Sequence, residues 1–258
     1  TIMASDEERP AGPFLDASLS RRQALGALAA GAAGLGLTRD VPGALAQAKT
    51  SAFHGAWPYY PPPTAHYNTF ILDGTALAFG IYQELMEMPL AMYYWQAQKW
   101  LWLLATGGGF SGNNYVVNLR KGARWSDGSA FTARDVLDTW VLWRLLGNSL
   151  FDYVDTIHAP NDYQVVFHMA VPSTLVERLI LHQIGPGAAS VSAPRASSVY
   201  GSFATRFREL LDRGHGLDSS EVKALQARFG QFRPTTMVVN GPFQIDPASI
   251  TQGQVTLQ

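Results

Sequence analysis

The stretch YVVNLRKGARWSDGSAFTARDVLDTWVLWRLL, residues 115–146, predicts a strand, a turn and a helix in succession. Residues 115–120 alternate between side chains of unlike polarity, which is the period of a strand with two different faces. The SDGS run at 126–129 is typical of a turn, because Asp bonds nearby backbone amides and Gly accepts positive φ. The stretch contains no catalytic triad, metal cluster or phosphate loop, so we interpret it as a scaffold.

The helix of this stretch has its own start signal and its own apolar stripe. Thr132 is predicted as the N-cap, with Asp135 three positions later as in a capping box. The stripe predicted to face the core consists of Val136, Leu137, Trp140, Val141 and Leu145, and the polar side of Arg134, Asp138 and Thr139.

The rest of the chain predicts an alternation of strands and helices without an internal repeat. Helices are expected at 74–85, 174–182, within 200–213, and from Ser219 or Ser220 to 229; strands at 163–169, in a hairpin around 96–98, on both sides of a turn in 235–246, and at 254–258. The glycines at 107, 108, 109 and 112 are expected to form a loop. This order indicates a mixed α/β domain.

Composition excludes several classes of function. The 258 residues are 47% hydrophobic, so the chain can bury a core. Its net charge of -1 gives no broad positive electrostatic field that would attract nucleic acid. It has no cysteine, which removes thiolate nucleophiles and zinc-thiolate sites. The histidines show no metal-ligand spacing, and the glycines at 107–112 lack the Lys-Ser/Thr of a phosphate loop. No metal or cofactor is expected.

Residues 1–48 have the order of a cleaved export signal. Arg21 and Arg22 precede an uncharged run at 23–37 rich in Ala, Gly and Leu, and small-x-small cleavage sites follow at 44–48. The SRRQAL segment at 20–25 is similar to a twin-arginine signal, with Ala24 where Phe is usual. Residues 49–67, with prolines at 61–63, are expected to form an extended aromatic-rich arm.

Two serines invite a catalytic interpretation. Ser220 and Lys223 match S-x-x-K, and Ser111 lies in a sequence close to a nucleophile elbow. The companion motifs of the first are absent, and Asn113 replaces a glycine of the second. A helix start at Ser220 and a loop at Ser111 are the better interpretations, and we expect no enzyme.

The motifs of the opening stretch resemble a known family. LRKG at 119–122, WSDG at 125–128 and FTARDV at 131–136 are similar to the signature of extracytoplasmic solute-binding proteins of family 5, the peptide, nickel and oligosaccharide receptors of ABC importers. EMPL at 87–90, WLLA at 102–105 and NGPF at 240–243 resemble flanking segments of that family in the same order. The resemblance covers about residues 68–258.

The resemblance implies a periplasmic binding protein-like class II fold, α/β with a mixed sheet and flanking helices. Members are two-lobed and more than twice this length, so residues 68–258 would be most of the first lobe, with the second lobe absent. A longer reading frame past residue 258 is then expected. The implied partners are a peptide-like or related small solute and the membrane permease of an ABC importer; we expect a monomer in the periplasm or another extracytoplasmic space.

By position in the family pattern, five residues are candidates for solute contact. Gly74, Thr75 and Ala76 resemble the first-lobe stretch that approaches the ligand backbone, and Phe151 and Tyr153 resemble the aromatic closure of the pocket. Ordinary core or loop positions are an equal alternative. Two rival functions stay open: a secreted serine hydrolase-like enzyme using Ser220 or Ser111, and a small interaction domain that pairs its open face with another chain.

Overall fold

The computed structural model describes residues 66–71, 85–170, 172–181, 193–251 and 256–258. Its strands are β1 (Ala91–Tyr94), β2 (Lys99–Trp102), β3 (Ala105–Ser111), β4 (Asn114–Leu119), β5 (Val154–Asn161), β6 (Gln164–Met169), β7 (Ile245–Asp246) and β8 (Thr256–Leu257). Its helices are α1 (Ala133–Leu145), α2 (Thr174–Leu181), α3 (Ser197–Asp212) and α4 (Ser220–Gly230), with 3₁₀ turns at Ser149–Asp152 and Pro247–Ser249.

A four-stranded sheet in the order β3-β4-β6-β5 forms the centre of the described residues. Each of its pairings is antiparallel, and Tyr115 of β4 lies opposite Phe167 of β6. Tyr115, Val117 and Phe167 are fully buried, which confirms the alternation predicted for these two strands. The predicted α/β class, a sheet with flanking helices, is confirmed as well, but a mixed sheet was expected and the pairings described in this sheet are all antiparallel.

The glycines at 107–109 lie in strand β3 and not in a loop, so that prediction was wrong. A Cβ on Gly108 would lie 2.9 Å from the carbonyl oxygen of Val116 and 3.2 Å from the hydroxyl of Tyr115. Glycine is therefore the residue that lets the large Tyr115 side chain cross the edge strand. Gly112 alone of the four takes positive φ, at +59°, in the β3–β4 turn.

Helix α1 begins at the predicted N-cap and buries Trp140 of the predicted stripe, but it is also buried on a second side. The capping box of Thr132 and Asp135 is present, and Trp140 on the predicted stripe is 1% exposed. Asp138 and Thr139, predicted for the polar side, are also buried. Helix α3 covers that side, where Arg208 pairs with Asp138. The prediction of a polar, exposed side was therefore wrong at these two residues, because helix α3 packs over them.

Most other predicted elements are confirmed, with shifted bounds. The hairpin around 96–98 is β1 and β2, α2 and α4 lie where helices were expected, and α3 begins at Ser197, earlier than predicted. Of residues 235–246 only β7 is a strand, and it pairs with β8. Strand β5 was missed. The helix predicted at 74–85 lies almost wholly outside the described residues.

The core joins the sheet, α1 and the two later helices through aromatic side chains. Phe70 packs on Trp143, Tyr200 and Phe229 with ring centroids 5.0 to 5.3 Å apart. Such tilted and edge-on contacts add to the stability gained from burial. No helix among the described residues is long and apolar enough to cross a membrane.

Gly241 lies against the backbone of residues 85–86. Its N–H donates to the carbonyl oxygen of Met86 at 2.6 Å, and the Phe243 N–H donates to that of Leu85 at 3.3 Å. A Cβ on Gly241 would lie 2.5 Å from the carbonyl carbon and oxygen of Met86. Because backbone cannot move aside as a side chain does, this turn requires glycine.

We expect Gly241→Ala to lower the free energy of unfolding by about 2–3 kcal/mol, through overpacking against fixed backbone. The midpoint of a thermal melt followed by circular dichroism would fall by about 4–12 °C for a chain of this size. Gly109→Ala is the matched control, because nothing lies within 4 Å of its added Cβ. Equal melting of the two variants would contradict the close approach.

Candidate functional site

The turn of the signature stretch is tied to helix α3 by one carboxylate. Asp127 Oδ1 accepts the Ser129 N–H at 2.9 Å and its hydroxyl at 2.6 Å, while Oδ2 accepts the Ser198 hydroxyl at 3.0 Å. Gly128 takes positive φ, at +85°. The turn-stabilising role predicted for Asp127 is confirmed, and its carboxylate is engaged in structure.

Asp135 holds the beginnings of two helices together. One carboxylate oxygen accepts the Thr132 N–H at the start of α1, and the other accepts the Ser197 N–H at the start of α3, each at 2.8 Å. These amides have no partner within their own helices, and a carboxylate there also complements the helix dipoles. Asp135 of the signature therefore links the start of α1 to the start of α3.

We expect the two signature aspartates to titrate on opposite sides of 3.8, the ordinary value for this carboxyl. Partial burial opposes the change at Asp127, but hydrogen bonds from Ser129 and Ser198 lower its pKa. Burial raises the pKa of Asp135, although the backbone N–H groups of Ser197 and Thr132 oppose the rise.

The two pKa shifts predict how these aspartates make the stability of the chain depend on pH. Asp127 contributes stability above the ordinary pKa, and that contribution is lost as the pH falls through its lowered native pKa. Charged Asp135 costs stability above its raised native pKa, and the cost disappears as the pH falls towards the ordinary pKa. A carboxyl carbon NMR titration checks both. Asp135 titrating at lower pH than Asp127 would contradict the assignment.

Phe151 and Tyr153 follow α1 and differ in exposure. The Phe151 ring packs edge-on against Trp140 with centroids 5.6 Å apart, and the Arg144 guanidinium lies 6.0 Å from its centre. Tyr153 is 44% exposed, and its carbonyl oxygen accepts the Ala170 N–H at 3.1 Å. The structure thus places Phe151 on the core and leaves the Tyr153 side chain partly exposed to solvent.

Gly74, Thr75 and Ala76 lie outside the described residues, but the segment before them is anchored in the core. Asn68 is fully buried, and its amide group donates to the carbonyl oxygens of Phe229 and Phe232 at 3.2 and 3.1 Å. Its side-chain oxygen accepts the Phe70 N–H at 3.1 Å. Residues 66–71 are therefore held against helix α4.

A buried ion pair that the sequence analysis missed joins three distant segments. The Arg195 guanidinium lies 3.5 Å from the Glu87 carboxylate and donates to the Thr69 hydroxyl at 2.8 Å. It also lies over the rings of Phe70 and Trp143, 4.9 and 5.3 Å from their centres. One feature of the sequence could have indicated a buried charge here, because Arg195 is the only Asp, Glu, Lys or Arg in the apolar stretch 179–205.

The serines considered for catalysis are built into local structure. Ser219 is the N-cap of α4, and the Ser220 hydroxyl donates to its neighbour Glu221 at 3.0 Å. Lys223 lies 3.9 Å from Asp218 and is exposed. Ser111 ends β3 in a hairpin pair with Asn114. Among the described residues, no group of three or more His, Cys, Asp or Glu side chains could hold a metal ion.

Comparison with protein families gives a match over residues 105–257, to the family described as "Bacterial extracellular solute-binding proteins, family 5 Middle". The matched region contains the LRKG, WSDG and FTARDV motifs of residues 119–136. No curated protein sequence matches the chain.

Solved structures with a similar fold include periplasmic oligopeptide-binding proteins of ABC transporters. An oligopeptide-binding protein from Thermotoga maritima is 20% identical over 79% of this chain and 32% of its own, with a TM-score of 0.56. Its mannohexaose-bound structure is 21% identical over 78% and 32%, with a TM-score of 0.54. The chain spans about a third of the length of these proteins.

The family match covers more than half of the chain and agrees with the fold. Strand β4, the Asp127 turn and helix α1 occupy the matched region in the predicted order. The resemblance seen in the sequence is therefore confirmed. This chain belongs to the bacterial extracellular solute-binding proteins of family 5.

Proposed function

We propose that this chain is part of the substrate-binding component of an ABC importer, which captures a peptide-like or related small solute outside the cytoplasmic membrane. The match to the solute-binding family over residues 105–257 carries the proposal. The similar oligopeptide-binding protein from Thermotoga maritima, which has also been solved with mannohexaose bound, supports a solute of this class. At Ser220 a receptor is favoured over a hydrolase, because its hydroxyl donates to the neighbouring carboxylate of Glu221.

The solute would meet this chain at the segment after α1 and at residues 74–76. Tyr153 offers a phenol ring that is open to solvent, and Phe151 supplies a ring fixed by Trp140. An aromatic side chain held from behind loses little freedom when a ligand packs on it. Gly74, Thr75 and Ala76 would supply close backbone approach.

The chain alone is expected to bind such solutes negligibly. It spans about a third of the similar proteins, and a solute held on one wall stays open to water, so burial and polar contacts that supply affinity are missing. Isothermal titration calorimetry of the 258-residue chain with tripeptides and mannohexaose should show no saturable heat. Micromolar binding would contradict this expectation.

The partners and location follow from the same proposal. The receptor would deliver its solute to the membrane permease of an ABC importer, work as a monomer, and reach the periplasm or another extracytoplasmic space through the signal predicted in residues 1–48. Cleavage near residue 49 is part of the proposal. Residues 49–67 would then form the arm at the start of the mature chain.

Uptake measurements in the bacterium that carries the gene test the transport role. A strain with the gene deleted should lose uptake of a labelled peptide or mannooligosaccharide pool, while uptake of free amino acids by other systems continues as the internal control. Restoring the chromosomal gene should restore uptake. Unchanged uptake of all solutes after deletion would reject the proposal.

A further inference from the structure

An aromatic corner on the surface encloses one arginine. The Arg178 guanidinium of α2 lies over the ring of Tyr93, 4.2 Å from its centre, and over the ring of Trp95, 4.6 Å from its centre. The two rings stand almost perpendicular, with an interplanar angle of 82° and centroids 4.9 Å apart. A cation enclosed by two such faces is held in both position and orientation.

The corner is supported from behind and open in front. Tyr93 lies opposite Trp100 in the β1–β2 hairpin, and their rings meet edge-on with centroids 5.1 Å apart. On the outer side Trp95 is 58% exposed, and Arg178 is only half-buried. The corner is therefore open to solvent at Trp95 and in part at Arg178.

Arg178 differs from most arginines of the described residues in having no oxygen partner among those residues. Among the described residues, Arg195, Arg206 and Arg208 pair with carboxylates, whereas Arg178 makes only its two ring contacts. The adjacent carboxylate, Glu177, accepts the Tyr115 hydroxyl at 2.8 Å. The planar fork of N–H donors on Arg178 thus remains unused in the described part of the chain.

We propose that Arg178, Tyr93 and Trp95 form a binding site for the carboxylate group of a small solute. A guanidinium can donate two parallel hydrogen bonds to a carboxylate, and this paired geometry adds both strength and directional specificity. The rings remove water from the faces of the guanidinium and leave its edge available, which strengthens the pairing. The site shares no residue with the candidate contacts Phe151 and Tyr153, and the proposal does not depend on the transport role.

NMR of the arginine Nε–H groups in the 258-residue chain tests the site directly. Sodium acetate is titrated at constant ionic strength, with neutral acetamide as the isosteric control. The Arg178 resonance should shift saturably with acetate, with an affinity about tenfold or more above that of exposed Arg213, and the Trp95 indole should shift with it. A linear drift shared by Arg178 and Arg213 would overturn the proposal, leaving a cation–π contact only.

Variants and two ligand sources complete the test. Arg178→Lys keeps the charge but removes the planar fork, so the saturable shift of the Trp95 indole should disappear, whereas Arg213→Lys should preserve it. Dialanine is then compared with its C-terminal amide. Tighter binding of dialanine than acetate would assign the site to peptide termini, and equal binding to free organic acids; binding of the amide as strong as that of dialanine would overturn the carboxylate site.

Discussion

Arg195→Met is expected to lower the free energy of unfolding by about 3–5 kcal/mol, the cost of breaking a buried ion pair from one side. Arg195 and Glu87 are 2% and 4% exposed, so the Glu87 charge would lose its cationic partner in a place that water barely reaches. The hydrogen bond from Arg195 to the Thr69 hydroxyl would be lost as well. Urea denaturation followed by tryptophan fluorescence measures the loss.

The exposed pair Arg206–Glu209 is the matched control. Its nitrogen and oxygen are closer, 2.8 Å against 3.5 Å, but its side chains are 48% and 47% exposed. Arg206→Met should therefore cost less than about 1 kcal/mol, because water screens the pair and the freed carboxylate is solvated again. Equal losses for the two variants would show that burial does not decide the strength of these pairs.

A double variant separates the lost charge from the lost packing. Arg195→Met combined with Glu87→Met removes both charges, so part of the stability lost in the single variant should return. The remaining deficit would measure the contacts of Arg195 with Thr69 and with the rings of Phe70 and Trp143. A double variant less stable than either single variant would argue against an unpaired-charge penalty.

Patterns within a few residues of sequence were enough to predict the elements whose contacts lie within those same residues. The alternation of β4, the Asp127 turn and the capping box of α1 each need only residues within four positions of one another. The hairpin of β1 and β2 also closes over a short turn. For such elements, sequence spacing and physical contact coincide, so the sequence reports the structure directly.

One error arose where a distant segment decides burial. Asp138 and Thr139 are polar, but α3 covers them from more than fifty residues away and Arg208 pairs with Asp138. The error at Gly108 arose nearer along the chain: glycine suggested a loop, but Gly108 lies in β3, where the Tyr115 side chain of the adjacent strand leaves little room for a Cβ. Neither contact produces a periodic pattern in the sequence, because each contact depends on which elements become neighbours in the folded chain.

The candidate solute contacts were predicted by position in a family pattern, and no local signal supports them. The sequence around Phe151 and Tyr153 has no charge or spacing that distinguishes a pocket residue from a core residue. Burial now separates them, because Phe151 packs on Trp140 and Tyr153 faces solvent. Arg195, Glu87 and Arg178 were missed because their partners lie on separate segments of the chain.

Trp140→Ala is expected to cost about 3–5 kcal/mol, through lost burial and the cavity left behind. The ring is 1% exposed and packs edge-on against Phe167 of the sheet and Phe151 of the candidate site, with centroids 5.0 and 5.6 Å apart. Urea denaturation measures the loss. Trp95, at 58% exposed, is the control, and Trp95→Ala should cost only about 1–2 kcal/mol in ring and arginine contacts.

Trp140→Phe separates ring packing from the indole N–H, which has no hydrogen-bond partner among the described residues. Phenylalanine keeps an aromatic face for Phe151 and Phe167 and removes an unsatisfied donor, so it should be clearly more stable than Trp140→Ala. Because Phe151 rests on this ring, Trp140→Ala should also broaden the Phe151 and Tyr153 amide resonances below the melting temperature, whereas Trp140→Phe should leave them sharp. Sharp resonances in both variants would mean that Trp140 does not hold the segment that offers Tyr153 to solvent.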